Sequence, residues 1–341
     1  MSLLKRVKLY FAKDLEVEFT DRVRGIQQVY EFGEKGTWYP VVVYGPEGCG
    51  KTSWLLQAVE VLKDLGYGVI YFNPLRRVFD VDVGVEDLKQ RALEVLRRVI
   101  LEVELARLVW LIIDFVNEAL RHGRKKLAVV VDDAFQYLEP RWAAVFVKGM
   151  LELIEHPVES YERIVAIVAT SEGVSRYEVG RHRWAEIKFM WNMSKDGFKE
   201  LYDRLPSPKP DFEDVWRLCG GNPSILSQLY QCGWSVDYVV KNVIESKRLY
   251  TFITSLNTDE KGWLLEAITD PDTLMRRERI PLLNRLVELN LVVDDVVFRD
   301  EFLWIDEPPP EKDLELGVGK YVAWQTPIHR EAVREVLEVF K

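Results

Sequence analysis

Two hydrophobic rhythms alternate along the first half of this chain. Four short β-branched runs, VVVY at 41–44, GVIYF at 68–72, LAVVV at 127–131 and IVAIVA at 164–169, recur between stretches whose apolar residues return every three or four positions. A run that is apolar at every position suits a parallel strand buried on both faces, since an antiparallel strand with one wet face would alternate. AEIKFMW at 185–191 is a fifth strand candidate. Residues 85–123 keep helical spacing without a proline, which predicts one long helix or two. The pattern predicts an α/β unit built on a parallel sheet.

After Trp191 the strand runs give way to helices. SKDGFKELYDRL at 194–205 reads as a helix stopped by PSPKP, and residues 211–233 read as two helices split at GGNP. From about 249 come three further helical stretches. LVVDDVVFRDEFLWID at 291–306 then reads as a β-hairpin turning at Asp294 and Asp295. A strand-like GKYVAWQT and a last helix in PIHREAVREVLEVF close the sequence, and DEPPPEKD at 306–313 reads as an exposed loop at the wing. Helices followed by a hairpin suggest a winged helix. The expected division is a core over 1–192, a helical lid over 193–248 and a winged helix-turn-helix over 249–341.

Composition narrows the functions available. With 46 basic against 55 acidic residues the formal charge is −9, which argues against a whole-surface nucleic-acid binder while leaving a local basic face open. The three cysteines form no CxxC pair, so neither a disulfide framework nor a cysteine-rich zinc site is suggested. The amino-terminal stretch has no apolar signal core, and LVWLIIDFV at 108–116 is too short to cross a membrane. A reducing, cytoplasmic setting without a membrane partner is the expectation.

The chemistry begins at GPEGCGKTS, Gly45 to Ser53, behind a strand and ahead of a helix. It matches GxxxxGK[ST] in the context that motif requires. Gly45, Gly48 and Gly50 allow a tight turn whose amides converge on one anion, with Pro46, Glu47 and Cys49 between them, and the helix start adds to the attraction. Lys51 would reach the β- and γ-phosphates, Thr52 would ligate Mg²⁺, and Ser53 continues the binding segment. The ligand class is therefore a nucleoside triphosphate. Cys49 raises two readings, a redox-controlled thiol or a small buried filler.

LAVVVDDAF ends a buried strand in two carboxylates. Asp132 is assigned to Mg²⁺ through water, and Asp133 to polarising the hydrolytic water. Thr170 and Ser171 emerge where the fourth strand ends, so Thr170 either senses the γ-phosphate and fixes the attacking water or is an ordinary turn residue. Asn73 either contacts Asp133 or serves a pre-proline turn. Arg176, Arg181 and Arg183 follow; Arg176 is the candidate to neutralise transition-state charge, in cis or across a subunit interface, against the alternative of a solvated arginine.

Taken with FTDRVRGI at 19–26, GGNPSIL at 220–226 and TPIHREAVREVL at 326–337, these motifs resemble the archaeal P-loop ATPases of the signal-transduction (STAND) group, relatives of the AAA+ ATPases. The resemblance implies ATP and ADP as ligands, a five-stranded parallel sheet of the ASCE type with the phosphate-loop strand central, a helical lid and a winged helix. It also implies that Asp21 and Arg22 lie near the adenine, although Val23 stands where the family has an acid. Pro223 would pack on the base, or simply open a helix. His329 falls where some members place a histidine that senses the β-phosphate, with capping or packing as the alternative. Two uses of the triphosphate stay open: a regulatory or assembly switch acting on a protein partner through the winged helix, or DNA loading and remodelling. The DNA reading has one candidate surface, RRERIPLLNRLVELNLV at 276–292, carrying Arg276, Arg277, Arg279 and Arg285 beside Glu278 and Glu288. A homo-oligomer would be needed if an arginine acts in trans.

Overall fold

The computed structural model describes residues 5–340 except 75, 77, 83–89, 91–104, 134, 136–139, 172, 174 and 295. Most of the helical pattern at 85–104, and Asp295 of the expected hairpin turn, lie outside the described residues. The chain forms two compact units: residues 1–7, 23–44 and 51–189 in one, residues 8–22, 45–50 and 190–341 in the other.

In the first unit, β3 (Val41–Tyr44), β4 (Gly68–Asn73), β6 (Lys126–Asp132), β7 (Arg163–Ala169) and β8 (Glu186–Met190) are the five strands expected from the apolar runs. They lie parallel in the order β8, β3, β7, β6, β4, with Val41 opposite Ile167 on one side and Glu186 on the other. The strand before the phosphate loop thus stands at the second place of five, beside the central strand β7, and not at the centre as the resemblance implied. A sixth strand, β5 (Val78–Asp82), adds antiparallel to β4. Residues 127–131 and 164–169 are all buried, as strands covered on both faces require. Val42, Val129, Val131, Ala166 and Val168 share one core with Ile112, Phe115 and Val116 of helix Leu105–Arg121 and Phe146, Val147 and Met150 of helix Pro140–Glu155. The other face receives α1 (Val23–Lys35) and α2 (Lys51–Asp64), locked together where the buried Trp54 indole donates to the Gly25 carbonyl at 3.0 Å.

The second unit opens with an antiparallel pair, β1 (Lys8–Ala12) and β2 (Leu15–Glu18), turning at Asp14 with φ 60°. Helices follow at Lys195–Asp203, Phe212–Cys219, Pro223–Gln231 and Val236–Ser246, then at Leu249–Thr254, Thr258–Thr269, Ile280–Glu288 and Pro327–Val339. Their starts are written in polar residues: Ser194, Asp211, Asn222, Ser235, Asn257 and Thr326 each accept a main-chain hydrogen bond as N-caps. Gly220, in the left-handed region at φ 56°, ends helix Phe212–Cys219 where GGNP was expected to split it. One apolar core runs from Phe11 and Val17 through Phe198, Leu226 and Ile253 to Trp324 and Leu337.

Among the described residues the expected hairpin about Asp294 and Asp295 is not seen. Val292–Val293 pairs instead with Ala323–Trp324, some thirty residues on, and Val296 N–H donates to the Tyr321 carbonyl. Burial decides this. Asp294 is itself buried, so the segment is not a solvated turn, and Trp324, wholly buried with its indole donating to Ala267, pins the distant strand in place. The stretch at 306–313 is exposed over much of its length, but its first residue, Asp306, is buried.

Candidate nucleotide-binding and catalytic residues

In the first unit, the carboxyl ends of β4, β6 and β7 gather the expected catalytic residues. Asp132, the last residue of β6, is 1% exposed, and its Oδ2 accepts from Asn73 Nδ2 at 2.9 Å and the Tyr71 hydroxyl at 3.2 Å. Tyr71 and Asn73 are two apart on β4, so the pleat presents both on one face. Burial raises the Tyr71 phenol well above its ordinary value, as do the Asp132 charge and its hydrogen bond, so Tyr71 stays a donor. Asp132 Oδ1 is buried without a hydrogen-bond partner among the described residues. A buried carboxylate oxygen left in this state suits a cation or its water, which is the fit that Mg²⁺ requires. No group of three or more His, Cys, Asp or Glu able to hold a metal occurs among the described residues. Thr52 is half-buried at the second position of α2.

Asp133 follows in a left-handed conformation at φ 51°, a costly backbone state for a residue with a side chain. Burial raises its carboxyl above the usual carboxylate range and the Asp132 charge adds to the rise; Lys51, Arg76 and a hydrogen bond from Asn73 work against it. Asn73 is therefore more than a pre-proline turn residue: it donates to Asp132, opposes the rise at Asp133, and its own Oδ1 accepts from Arg76 N–H at 2.8 Å. Lys51, 5% exposed, begins α2. Thr170 is fully buried just past β7, its N–H donating to the Val43 carbonyl of β3. Arg176 is buried with its guanidinium 5.0 Å from the Tyr177 ring and 5.6 Å from Phe189, whereas Arg181 is exposed and paired with Glu178. Arg183 is exposed.

The phosphate loop, Gly45–Gly50, belongs to the second unit and is held there through its main chain. Gly48 and Gly50 have φ of 76° and 101°, and a Cβ on Gly48 would come within 2.3 Å of the Ser224 Cβ. A Cβ on Gly45 would meet the Met190 carbonyl oxygen at 2.0 Å. Asn222 Nδ2 donates to the Glu47 carbonyl at 2.9 Å and to Asn192 Oδ1 at 2.8 Å, while its Oδ1 caps helix Pro223–Gln231 at Ser224 N and Ile225 N. The Glu47 N–H donates to Gln325 Oε1 at 2.8 Å, and Asn192 Nδ2 to the Gln325 carbonyl at 2.9 Å. Lys247 pairs with the Glu47 carboxylate at 2.9 Å. Because a trans peptide is planar, a captured carbonyl sends the next residue's N–H the opposite way. Asn222 thereby fixes the direction of the Gly48 amide.

Cys49 is fully buried, its thiol 3.6 Å from the Met190 carbonyl, as the filler reading expects. Pro223 occupies the first turn of its helix, with Cγ 3.8 Å from the position of a Cβ on Gly50. Arg22 is buried and donates to the Cys49 and Trp191 carbonyls and to Asp306. His329 caps and packs: its N–H donates to Thr326 Oγ1 and its ring bonds the same hydroxyl at 2.8 Å. Burial, then Lys247, lowers the imidazole to about 4, with Glu47 opposing. Of the arginines of the supposed recognition helix, Arg279 is buried against Glu266 at 2.7 Å and Arg285 engages Glu260 and Ser255; Arg276 and Arg277 alone of the four are exposed.

Residues 19–229, more than half of the chain, match the model of an ATPase domain predominantly from Archaea. The chain belongs to this ATPase family. No curated protein matches the sequence. Among solved structures, the ATPase is similar to the replication initiator DnaA bound to AMPPCP and single-stranded DNA, at 15% identity and a TM-score of 0.39 over 81% of this chain and 85% of that one. It is also similar to the Aeropyrum pernix ORC1 protein in complex with DNA, at 14% identity and a TM-score of 0.38 over 94% and 93%. AMPPCP-bound DnaA from Aquifex aeolicus follows at 17% and 0.37, over 70% and 71%. What those proteins bind is a property of theirs.

Sequence reasoning missed Tyr71, Asn192, Lys247, Asp306 and Gln325. Asn222 was within reach, because an asparagine before proline at a helix start is a capping signal. The others carry no local motif. Among the described residues no helix is long and apolar enough to cross a membrane.

Proposed function

We propose that this ATPase hydrolyses ATP with Mg²⁺ and uses the state of its phosphate loop to set the conformation of its later helical segments, acting as a regulatory or assembly switch. The observation that carries the reading is that the loop's main chain is hydrogen-bonded by side chains from two later segments, at Asn222 and Gln325, and by Arg22 from ahead of it. A ligand that reorganises these amides must break or strengthen contacts made by residues up to 325, which gives it the differential interaction a switch requires.

In the chemical step, Gly45 to Ser53 hold the phosphates and Lys51 supplies positive charge. Thr52 and Asp132 would hold Mg²⁺, which when bound offsets charge on the phosphate oxygens. Asp133, with its raised proton affinity, takes the proton of the attacking water. Thr170 orients that water, and Arg176 contributes positive charge from beside β8. We assign residues 193–248 to a lid and 249–341 to a winged helix that meets a protein partner, in the cytoplasm, with a homo-oligomer as one form of assembly. Against DNA remodelling stand the net charge of −9 and the engagement of Arg279 and Arg285 by carboxylates.

The test is steady-state ATP hydrolysis by the purified chain, with and without duplex DNA and with Asp133→Asn alongside. Slow turnover indifferent to DNA and absent in Asp133→Asn agrees with the proposal. Turnover strongly stimulated by DNA would replace it with the remodelling reading.

A further inference from the structure

Arg22 is committed to protein oxygens in a way that gives it a different task from contact with the base. Its Nη2 donates to the Cys49 carbonyl at 2.7 Å and the Trp191 carbonyl at 2.8 Å, and its Nη1 donates to Asp306 Oδ2 at 3.1 Å. Both members of the ion pair are buried, at 3% exposure each, although 284 residues separate them. Asp21, Arg22 and Asp306 also hold φ of 62°, 59° and 66°, left-handed states that persist in non-glycine residues only where the surroundings impose them. The guanidinium fork suits this work, since its donors lie in one plane and serve several acceptors at once, which a lysine ammonium cannot copy.

The captured carbonyl matters because of the peptide it belongs to. Cys49 C=O and Gly50 N–H share one planar trans unit and point opposite ways. Gly50 has φ of 101°, a conformation in which its two flanking peptides are held only by what their polar groups touch. We propose that Arg22, braced by Asp306, is a positioning residue that turns the Gly50 amide toward the bound phosphates. This rests on the reading of Gly45–Gly50 as a phosphate loop. The charge of Arg22 is matched by Asp306, so its effect is one of orientation, and it acts on any ligand that presents phosphates, whatever its base.

The full chain is titrated with ATP, GTP and inorganic tripolyphosphate by calorimetry, as parent, Arg22→Lys, Asp306→Asn and Lys51→Ala, with the unliganded melting midpoint recorded for each. Arg22→Lys is expected to weaken all three ligands by about tenfold, the worth of one charge-assisted hydrogen bond. KM for ATP rises with it while kcat stays within about twofold, because ground-state binding is what is lost. A folded Arg22→Lys that binds tripolyphosphate as the parent does would overturn the proposal, as would a loss confined to adenine nucleotides. If Arg22→Lys fails to fold, Asp306→Asn decides by the same criteria, with a smaller loss of about threefold expected from a brace that keeps an oxygen acceptor but no charge. A Lys51→Ala that binds as well as the parent would instead overturn the phosphate-loop reading, and the role of Arg22 with it.

Discussion

Replacing Asn222 by alanine separates two jobs that one side chain performs. Its Oδ1 caps helix Pro223–Gln231, and loss of such a cap costs about 1 kcal/mol. Its Nδ2 donates to the Glu47 carbonyl and Asn192 Oδ1, and each acceptor left unpaired near the interior costs a further ~1 kcal/mol. Asn222→Ala should therefore lose about 3 kcal/mol. Asp211 supplies the control. It caps helix Phe212–Cys219 at Glu213 N, is exposed, and has no bond to the loop, so Asp211→Ala should lose only ~1 kcal/mol. Urea unfolding followed by tryptophan fluorescence measures both, and ATP titration should weaken in Asn222→Ala alone, since the Glu47–Gly48 peptide is then free to turn. Equal destabilisation by the two substitutions, with equal ATP affinity, would refute the claim that Asn222 holds the loop.

Asp133→Asn should abolish turnover and keep ATP binding. The raised carboxyl means that Asp133 favours the fold below its unfolded value and that this contribution is lost as pH rises through the folded one, so removing the charge should also raise the unliganded melting midpoint at pH 7. His329 runs the opposite way: lowered to about 4, it supports the fold above its ordinary value near 6.5 and loses that support as pH falls. Between pH 7 and 4 the parent should lose ~3 kcal/mol more than His329→Gln, and parallel acid-unfolding curves would contradict the burial. Gly48→Ala should eliminate ATP binding, because its Cβ strikes Ser224 and its φ is left-handed; unchanged calorimetric affinity would show the loop free to move. Arg276→Ala with Arg277→Ala should leave the salt dependence of any duplex binding unaltered, whereas a flatter slope would make that surface a phosphate contact.

The parallel sheet was legible because strands covered on both faces must be apolar throughout, and the phosphate loop because a tight anion-binding turn restricts which residues can stand at 45, 48 and 50. The breaks between helices at 206–210 and 220–223 were legible from proline, glycine and capping residues. Strand β5 was not, since VFDVD is short and half polar, and neither was β1–β2, whose signal is only a turn at Asp14. Local turn signals misled at Asp294, because a strand pair can close across thirty residues when a buried tryptophan pins one of the strands. The clamps on the loop escaped for a related reason. Gln325 bonds the Glu47 main chain and Asp306 the Arg22 guanidinium, each far away in sequence, and no spacing rule encodes such a pair.

The central claim is that nucleotide bound at the phosphate loop is felt by the segments that hold it. Hydrogen exchange compared between the ATP-bound Asp133→Asn chain and the same chain with ADP tests it most directly. The account predicts altered protection in residues 222–230 and 323–330, which carry Asn222, Gln325 and the capped start of the last helix. Identical exchange in both segments, with nucleotide demonstrably bound, would contradict it.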